Sequence, residues 1–165
     1  MRNELKNNLI DFEILAVTNQ NFNQIFEVYE TNQDFFMLTN GRKTTIESSI
    51  NDINALPPNC NIEQKIYVSV WEKDTIVGVL DLIEQYPEKS CFWIGLLLVH
   101  GNLHGKKIGS RIVHAIITAA KAAGYKSAQL GVIENNINGI NFWYKHGFEI
   151  FKQSENTIVM RRQII

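Results

Sequence analysis

Long apolar runs are missing from this 165-residue chain. The longest, Cys91 to Val99, spans nine residues, against the roughly 20 that a membrane-crossing helix requires. No membrane association is expected. An excess of positive charge is missing too: 16 Lys+Arg stand against 17 Asp+Glu, a formal net charge of -1. Sequence-independent nucleic-acid binding draws its affinity from Lys and Arg that neutralise phosphates, so no nucleic-acid partner is expected. Cysteine is scarce, and Cys60 and Cys91 have no CxxC or Cys/His spacing that would suit a metal. They read as free thiols in a reducing compartment. The first ten residues carry Arg2, Glu4 and Lys6 and hold no apolar stretch of signal-peptide length. Repeats, linkers and low-complexity tracts are absent as well. The expectation is one cytoplasmic, metal-free domain over residues 1–165, large enough to rest on one core without staples.

What is present is an alternation of helical and strand patterns. A short strand is predicted from Phe12 to Val17, then a helix capped by Thr18 with Phe22, Ile25, Phe26 and Tyr29 at helical spacing. The polar and aromatic stretch from Thr31 to Lys43 has no clean period and reads as a loop with at most a helical turn. Thr44 and Glu47 form a capping box for a second helix, whose apolar residues Ile46, Ile50, Ile53 and Leu56 run up to Pro57-Pro58. Strands are predicted at Ile66 to Trp71, Thr75 to Ile83 and Cys91 to Val99, as an antiparallel meander. A long helix over Lys106 to Ala123 follows, then a strand at Ser127 to Ile133, a helix at Asn138 to His146, and strands at Phe148 to Gln153 and Thr157 to Arg162. The order predicts a mixed α/β sheet. Strand, helix and strand over 91–133 make a parallel, right-handed βαβ unit.

The segment from Leu97 to Arg111 carries the chemistry. A strand enters a glycine-containing turn that opens the long helix, so unpaired N–H groups and the positive end of the dipole face one spot. Gly105 and Gly109 let an anion approach the backbone, and Lys106, Lys107 and Arg111 add positive charge. Phosphate or pyrophosphate is the expected ligand, with a plain structural turn as the other reading. Neither the Walker spacing nor the dinucleotide fingerprint is present.

His104-Gly105-Lys106-Lys107-Ile108-Gly109 resembles the Gln/Arg-x-x-Gly-x-Gly/Ala signature of the GNAT superfamily of N-acetyltransferases. The run from Asn136 to Phe148 resembles that family's second motif, Asn-x-x-Ala-x-x-Leu-Tyr-Glu-Lys-Leu-Gly-Phe. The likeness covers residues 75–162, and reaches the first 60 residues only through the order of elements. It implies a mixed, mostly antiparallel sheet of six to seven strands, with a splayed parallel pair at its centre and flanking helices. It also implies acetyl-coenzyme A as cosubstrate. Its pyrophosphate would sit on the amides of His104, Gly105, Lys106, Lys107, Ile108, Gly109 and Ser110. Its pantetheine arm would add to the strand edge at Leu97, Leu98 and Val99, with an amide near Leu98 as oxyanion donor and with Asn136, Trp143 and Tyr144 nearby. Four positions depart from the family pattern: His104 replaces Gln or Arg, Lys107 replaces the first glycine, Trp143 replaces the tyrosine that serves as general acid, and Trp93 falls where a glutamate base is frequent.

Tyr144, one residue along from Trp143, becomes the candidate acid, and Asp81, Glu84 or a water chain the candidate base. The polar side chains His100 and His104 read as loop residues or phosphate neighbours, His114 as a helix histidine, and Trp71 and Trp93 as core, with a substrate wall as the other reading. Phe35, Phe36 and Met37 border the acceptor cleft or the core. The function implied is transfer of an acetyl group to a primary amine of a small molecule or peptide by direct attack, in a monomer or homodimer. A non-catalytic acyl-coenzyme A module and a nucleotide-binding module remain as alternatives.

Overall fold

A computed structural model describes all 165 residues. Seven strands form one sheet in the order β1-β2-β3-β4-β5-β7-β6. The strands are β1 (Glu13–Ala16), β2 (Lys65–Glu72), β3 (Thr75–Glu84), β4 (Cys91–Val99), β5 (Ser127–Ile133), β6 (Glu149–Gln153) and β7 (Thr157–Gln163). Every neighbouring pair is antiparallel except β4 and β5, which run parallel. A parallel pair needs a crossover, and α5 (Ile108–Ala122) supplies it. The expected mixed sheet with one central parallel pair is the sheet observed.

The sheet separates two apolar clusters rather than covering the single core expected. On one face α5, α1 (Arg2–Asn8) and α6 (Ile137–Lys145) enclose Phe92, Leu80, Ile112, Ile116 and Phe148. On the other, α2 (Phe22–Glu30), α3 (Gln33–Asn40) and α4 (Ile46–Ser49) enclose Tyr29, Phe22, Phe36, Tyr67 and Leu98. Because β-strand side chains alternate, β2, β3 and β4 feed both clusters, and a two-sided sheet has no single interior.

Four local readings are corrected. α1 lies outside the predicted elements; its apolar residues Met1, Leu5 and Leu9 recur every four positions, but the polar residues between them hide so short a stripe. α2 is capped at Asn21 rather than Thr18, because the Asn21 side chain accepts the Thr18 amide (2.8 Å) and donates to the Ala16 carbonyl (2.8 Å). The segment expected as a loop is the helix α3, closed by Gly41 in the left-handed conformation (φ 69°). The capping box of α4 is Thr45 with Ser48, because Gln33 holds both the amide and the carbonyl of Thr44. α4 then tightens into a 3₁₀ turn at Ile50–Ile53. No helix is long and apolar enough to cross a membrane.

Leu5 is fully buried where α1 meets α5. Leu5→Ala should lower stability by about 2–5 kcal/mol, read as a shift in urea midpoint at unchanged slope.

Candidate active site

β4 stops pairing with β5 halfway along. Their register runs from Cys91↔Ser127 to Ile94↔Leu130 and ends there. Beyond it β4 continues along β3, and β5 along β7. A bulge causes the parting: Asp81 pairs with Leu96 and Leu82 with Ile94, which leaves Gly95 without a partner on β3. The edge of β4 past Gly95 is therefore open. His100 donates its amide to Val77 (2.9 Å), so by antiparallel alternation the polar groups of Leu98 face β3 while those of Leu97 and Val99 face the gap. The amides that face the gap near Leu98 are therefore those of Leu97 and Val99. The Val99 carbonyl already accepts Asn32 Nδ2 (3.0 Å) and His104 Nε2 (2.9 Å).

The turn after β4 is tied to α2. His100 accepts the Asn102 amide at Nδ1 (3.3 Å), so its Nε2–H donates to Glu27 (3.1 Å). The Gly101 amide donates to Thr31 Oγ1 (2.9 Å), and a Cβ at Gly101 would come within 2.6 Å of the Thr31 carbonyl. Only glycine lets the two backbones approach so closely.

Of the seven amides expected to cradle phosphate, those of His104 and Lys106 are used within the turn, by Gly101 and Leu103. Those of Gly105, Lys107, Ile108, Gly109 and Ser110 have no acceptor in the chain and open onto the N-terminus of α5. Gly105 (φ 78°) and Lys107 (φ 63°) are both left-handed. That explains why the family signature has glycine where this chain has Lys107. Gly109 has another reason to be glycine: a Cβ there would meet Phe142 at 3.3 Å and Val99 at 3.4 Å, so its missing side chain serves packing against α6. Arg111 is committed elsewhere, to Asp11 (2.7 Å), to Glu72 (3.5 Å) and to the Phe12 ring (4.3 Å to its centroid).

Asp81 lies on the α2 face of the sheet, with the alternate residue Val79. Its Oδ2 accepts Lys65 Nζ (2.7 Å), which also donates to the Ala55 carbonyl (2.8 Å) and stands over the Tyr67 ring. Its Oδ1 is buried without a donor. Burial pushes the Asp81 carboxyl up from the usual range, and Lys65 only partly offsets it. Behind this pair, Tyr67 bonds to Tyr29, and Tyr29 donates to Asp52 (3.0 Å). Burial raises both phenols and Asp52 as well. The spacing of residues 29, 52, 65 and 67 gives no sign of this cluster, since it joins a helix, a 3₁₀ turn and a strand.

Glu84 follows the alternation to the opposite face, where it accepts Tyr125 Oη (2.8 Å) and pairs with the Met1 ammonium (3.8 Å). The structure does not bring it to Asp81. Trp93 faces the α2 side, since its neighbours Phe92 and Ile94 face the larger core, and it meets Tyr86 edge to face. On α6, Trp143 packs inward against Phe142 and Phe148. Tyr144 is 45% exposed and its hydroxyl makes no hydrogen bond. Asn136 caps α6 by accepting the Gly139 amide (2.9 Å).

The acetyltransferase (GNAT) family model matches residues 25–148, and the chain belongs to that family. An acetyltransferase from Thermus thermophilus superposes with a TM-score of 0.80 at 20% identity, over 92% of this chain and 96% of that one. The PaiA N-acetyltransferase from Thermoplasma acidophilum, solved in complex with coenzyme A, gives 0.68 at 18% identity, over 92% and 98%. Ard1 from Thermoplasma volcanium gives 0.66 at 20% identity, over 94% and 99%. A search of curated protein sequences gives no significant match. At these identities the solved structures establish the shared fold.

Left-handed backbone strains a lysine and not a glycine. Lys107→Gly should therefore stabilise the protein by about 0.5–1 kcal/mol, measured by thermal denaturation.

Proposed function

We propose that the protein transfers the acetyl group of acetyl-coenzyme A to the amine of a small molecule or peptide. The observation that carries the reading is the open edge of β4 leading directly to five unpaired amides at the start of α5. A chain of amide-bearing pantetheine suits the first, and a pyrophosphate suits the second. Leu97 and Val99 would hold the arm, Gly105 and Lys107 to Ser110 the pyrophosphate, and Lys106 and Lys107 would add charge. The PaiA relative with coenzyme A bound supports the same choice of ligand.

Acetyl-coenzyme A supplies the acetyl group as a thioester. The protein's share is to orient the amine, remove its proton and support the developing oxyanion. Asp81 is the base we assign. Its carboxyl group stands beside Gly95 at the open edge and is made more basic by burial, so it accepts a proton from the acceptor nitrogen as the N–C bond forms and the C–S bond breaks. The half-exposed Tyr144 has no partner to orient it, so we assign reprotonation of the departing thiolate to water. The free Cys60 and Cys91 support a reducing, cytoplasmic setting.

Saturation with acetyl-coenzyme A at 100 times its dissociation constant should add roughly 2.7 kcal/mol, seen as a rise in Tm that NAD does not give. Equal shifts with both would overturn the ligand. Thiol release with an amine panel separates the transferase from a module that only binds the coenzyme. Asp81→Asn should lower kcat/KM by roughly 10²–10⁴-fold and leave coenzyme affinity unchanged. Since only ionised Asp81 accepts a proton, activity falls as pH drops through its raised pKa, and the acid limb lies above the ordinary aspartate range. Tyr144→Phe should keep full turnover.

A further inference from the structure

Two glycines meet where the central strands part. Gly95 on β4 and Gly131 on β5 follow the last paired residues, Ile94 and Leu130, and both are exposed although their strands are central. A Cβ at Gly95 would stand 3.2 Å from Asp81 Oδ2, and one at Gly131 would stand 3.4 Å from the Trp93 indole. The result is a slot with a bare backbone floor, a carboxylate on one side and an indole on the other. Tyr86 extends the aromatic side, with its ring centroid 5.7 Å from that of Trp93 at 78°. Past the gap this face is open, because the smaller core contains no residue of β5, β6 or β7.

The slot's chemistry is uneven. Asp81 Oδ1 is the one buried carboxylate oxygen without a donor, while Asp81 Oδ2 and Asp52 Oδ2 are held by Lys65 and Tyr29. The carboxylate beside the two glycines is that of Asp81 alone, and it serves one amine group. A second would find no further free carboxylate, which counts against polyamines. Opposite the carboxylate, Trp93 and Tyr86 present mostly ring surface, with one indole N–H and one phenol hydroxyl between them. A polyhydroxylated amine would lose more bonds to water than two such groups replace, whereas an alkyl or aryl group gains by burial against the indole.

We propose that Trp93 and Tyr86 form the acceptor-recognition wall and that the acceptor is a monoamine bearing an apolar alkyl or arylalkyl substituent. This rests on the transferase reading above and narrows its acceptor. Trp93 stands where the family resemblance predicts a glutamate. Here the indole selects the acceptor's carbon skeleton and Asp81 takes the proton.

Initial rates at saturating acetyl-coenzyme A, with phenethylamine, hexylamine, glucosamine and spermidine as acceptors, test the assignment. The expected kcat/KM for phenethylamine and hexylamine exceeds that for the other two by about 10- to 100-fold. Trp93→Ala should remove about tenfold of that preference, chiefly through KM and with coenzyme affinity unchanged, and Trp93→Phe should keep most of it. Glucosamine or spermidine used as well as phenethylamine would overturn the proposal, as would an unaltered preference in Trp93→Ala. Calorimetry of phenethylamine with the coenzyme A complex separates the two levels. Binding that needs Trp93 without thiol release from any amine would remove the transferase reading and keep the wall. Neither binding nor release would remove both.

Discussion

The single unpartnered residue Gly95 governs the site. An extra residue in one strand of a ladder bends that strand and raises its twist, and here the bend comes just after the last β4–β5 bridge at Ile94 and Leu130. Without it β4 and β5 would go on pairing, and the polar groups of Leu97 and Val99 would be taken up by β5 instead of facing a gap. The open edge, the exposed pair of glycines and the approach to α5 all follow from that interruption. The bulge is tolerated because β3 holds the other edge of β4 through Val99 and β7 holds β5 through Ile133, so neither strand is left unsupported.

The two faces of the sheet have separate tasks that meet at the turn after β4. The larger cluster with α5 and α6 lies behind the unpaired amides, and the smaller cluster with α2, α3 and α4 lies behind Asp81. Glu27, Thr31 and Asn32, all from the end of α2 and the residues after it, bond to His100, Gly101 and Val99. The helices of the smaller cluster thus fix the position of the turn whose amides open at the start of α5.

Much of this is legible in the sequence, and the remainder is hidden for physical reasons. Runs of apolar residues mark the central strands, because β2, β3 and β4 are covered on both faces over much of their length, and the run His104 to Gly109 marks the turn. The helix α3 is hidden because its burial is slight, with Phe36 alone deeply covered, so no apolar stripe distinguishes it from a loop. At the site, alternation puts Asp81 on the face of Val79 and Ile83 and so brings it forward as a candidate. The same rule sends Glu84 to the other face, where Tyr125 holds it. The Lys65, Tyr67, Tyr29 and Asp52 cluster is out of reach, since its members come together only through packing between elements far apart in the chain. Gly109 suggests room for a phosphate, and only the neighbouring Phe142 ring reveals a packing cause.

The lone oxygen of Asp81 also has a meaning for how this protein could change. A buried acceptor left without a donor costs about 1–3 kcal/mol, and a buried ion pair such as Asp81–Lys65 is often matched or exceeded in stability by apolar residues of similar volume. The fold alone would favour replacing both residues with well-packed hydrocarbon. Selection for thermostability alone should therefore erode this pair first, yielding a hardier protein without the carboxylate proposed as proton acceptor.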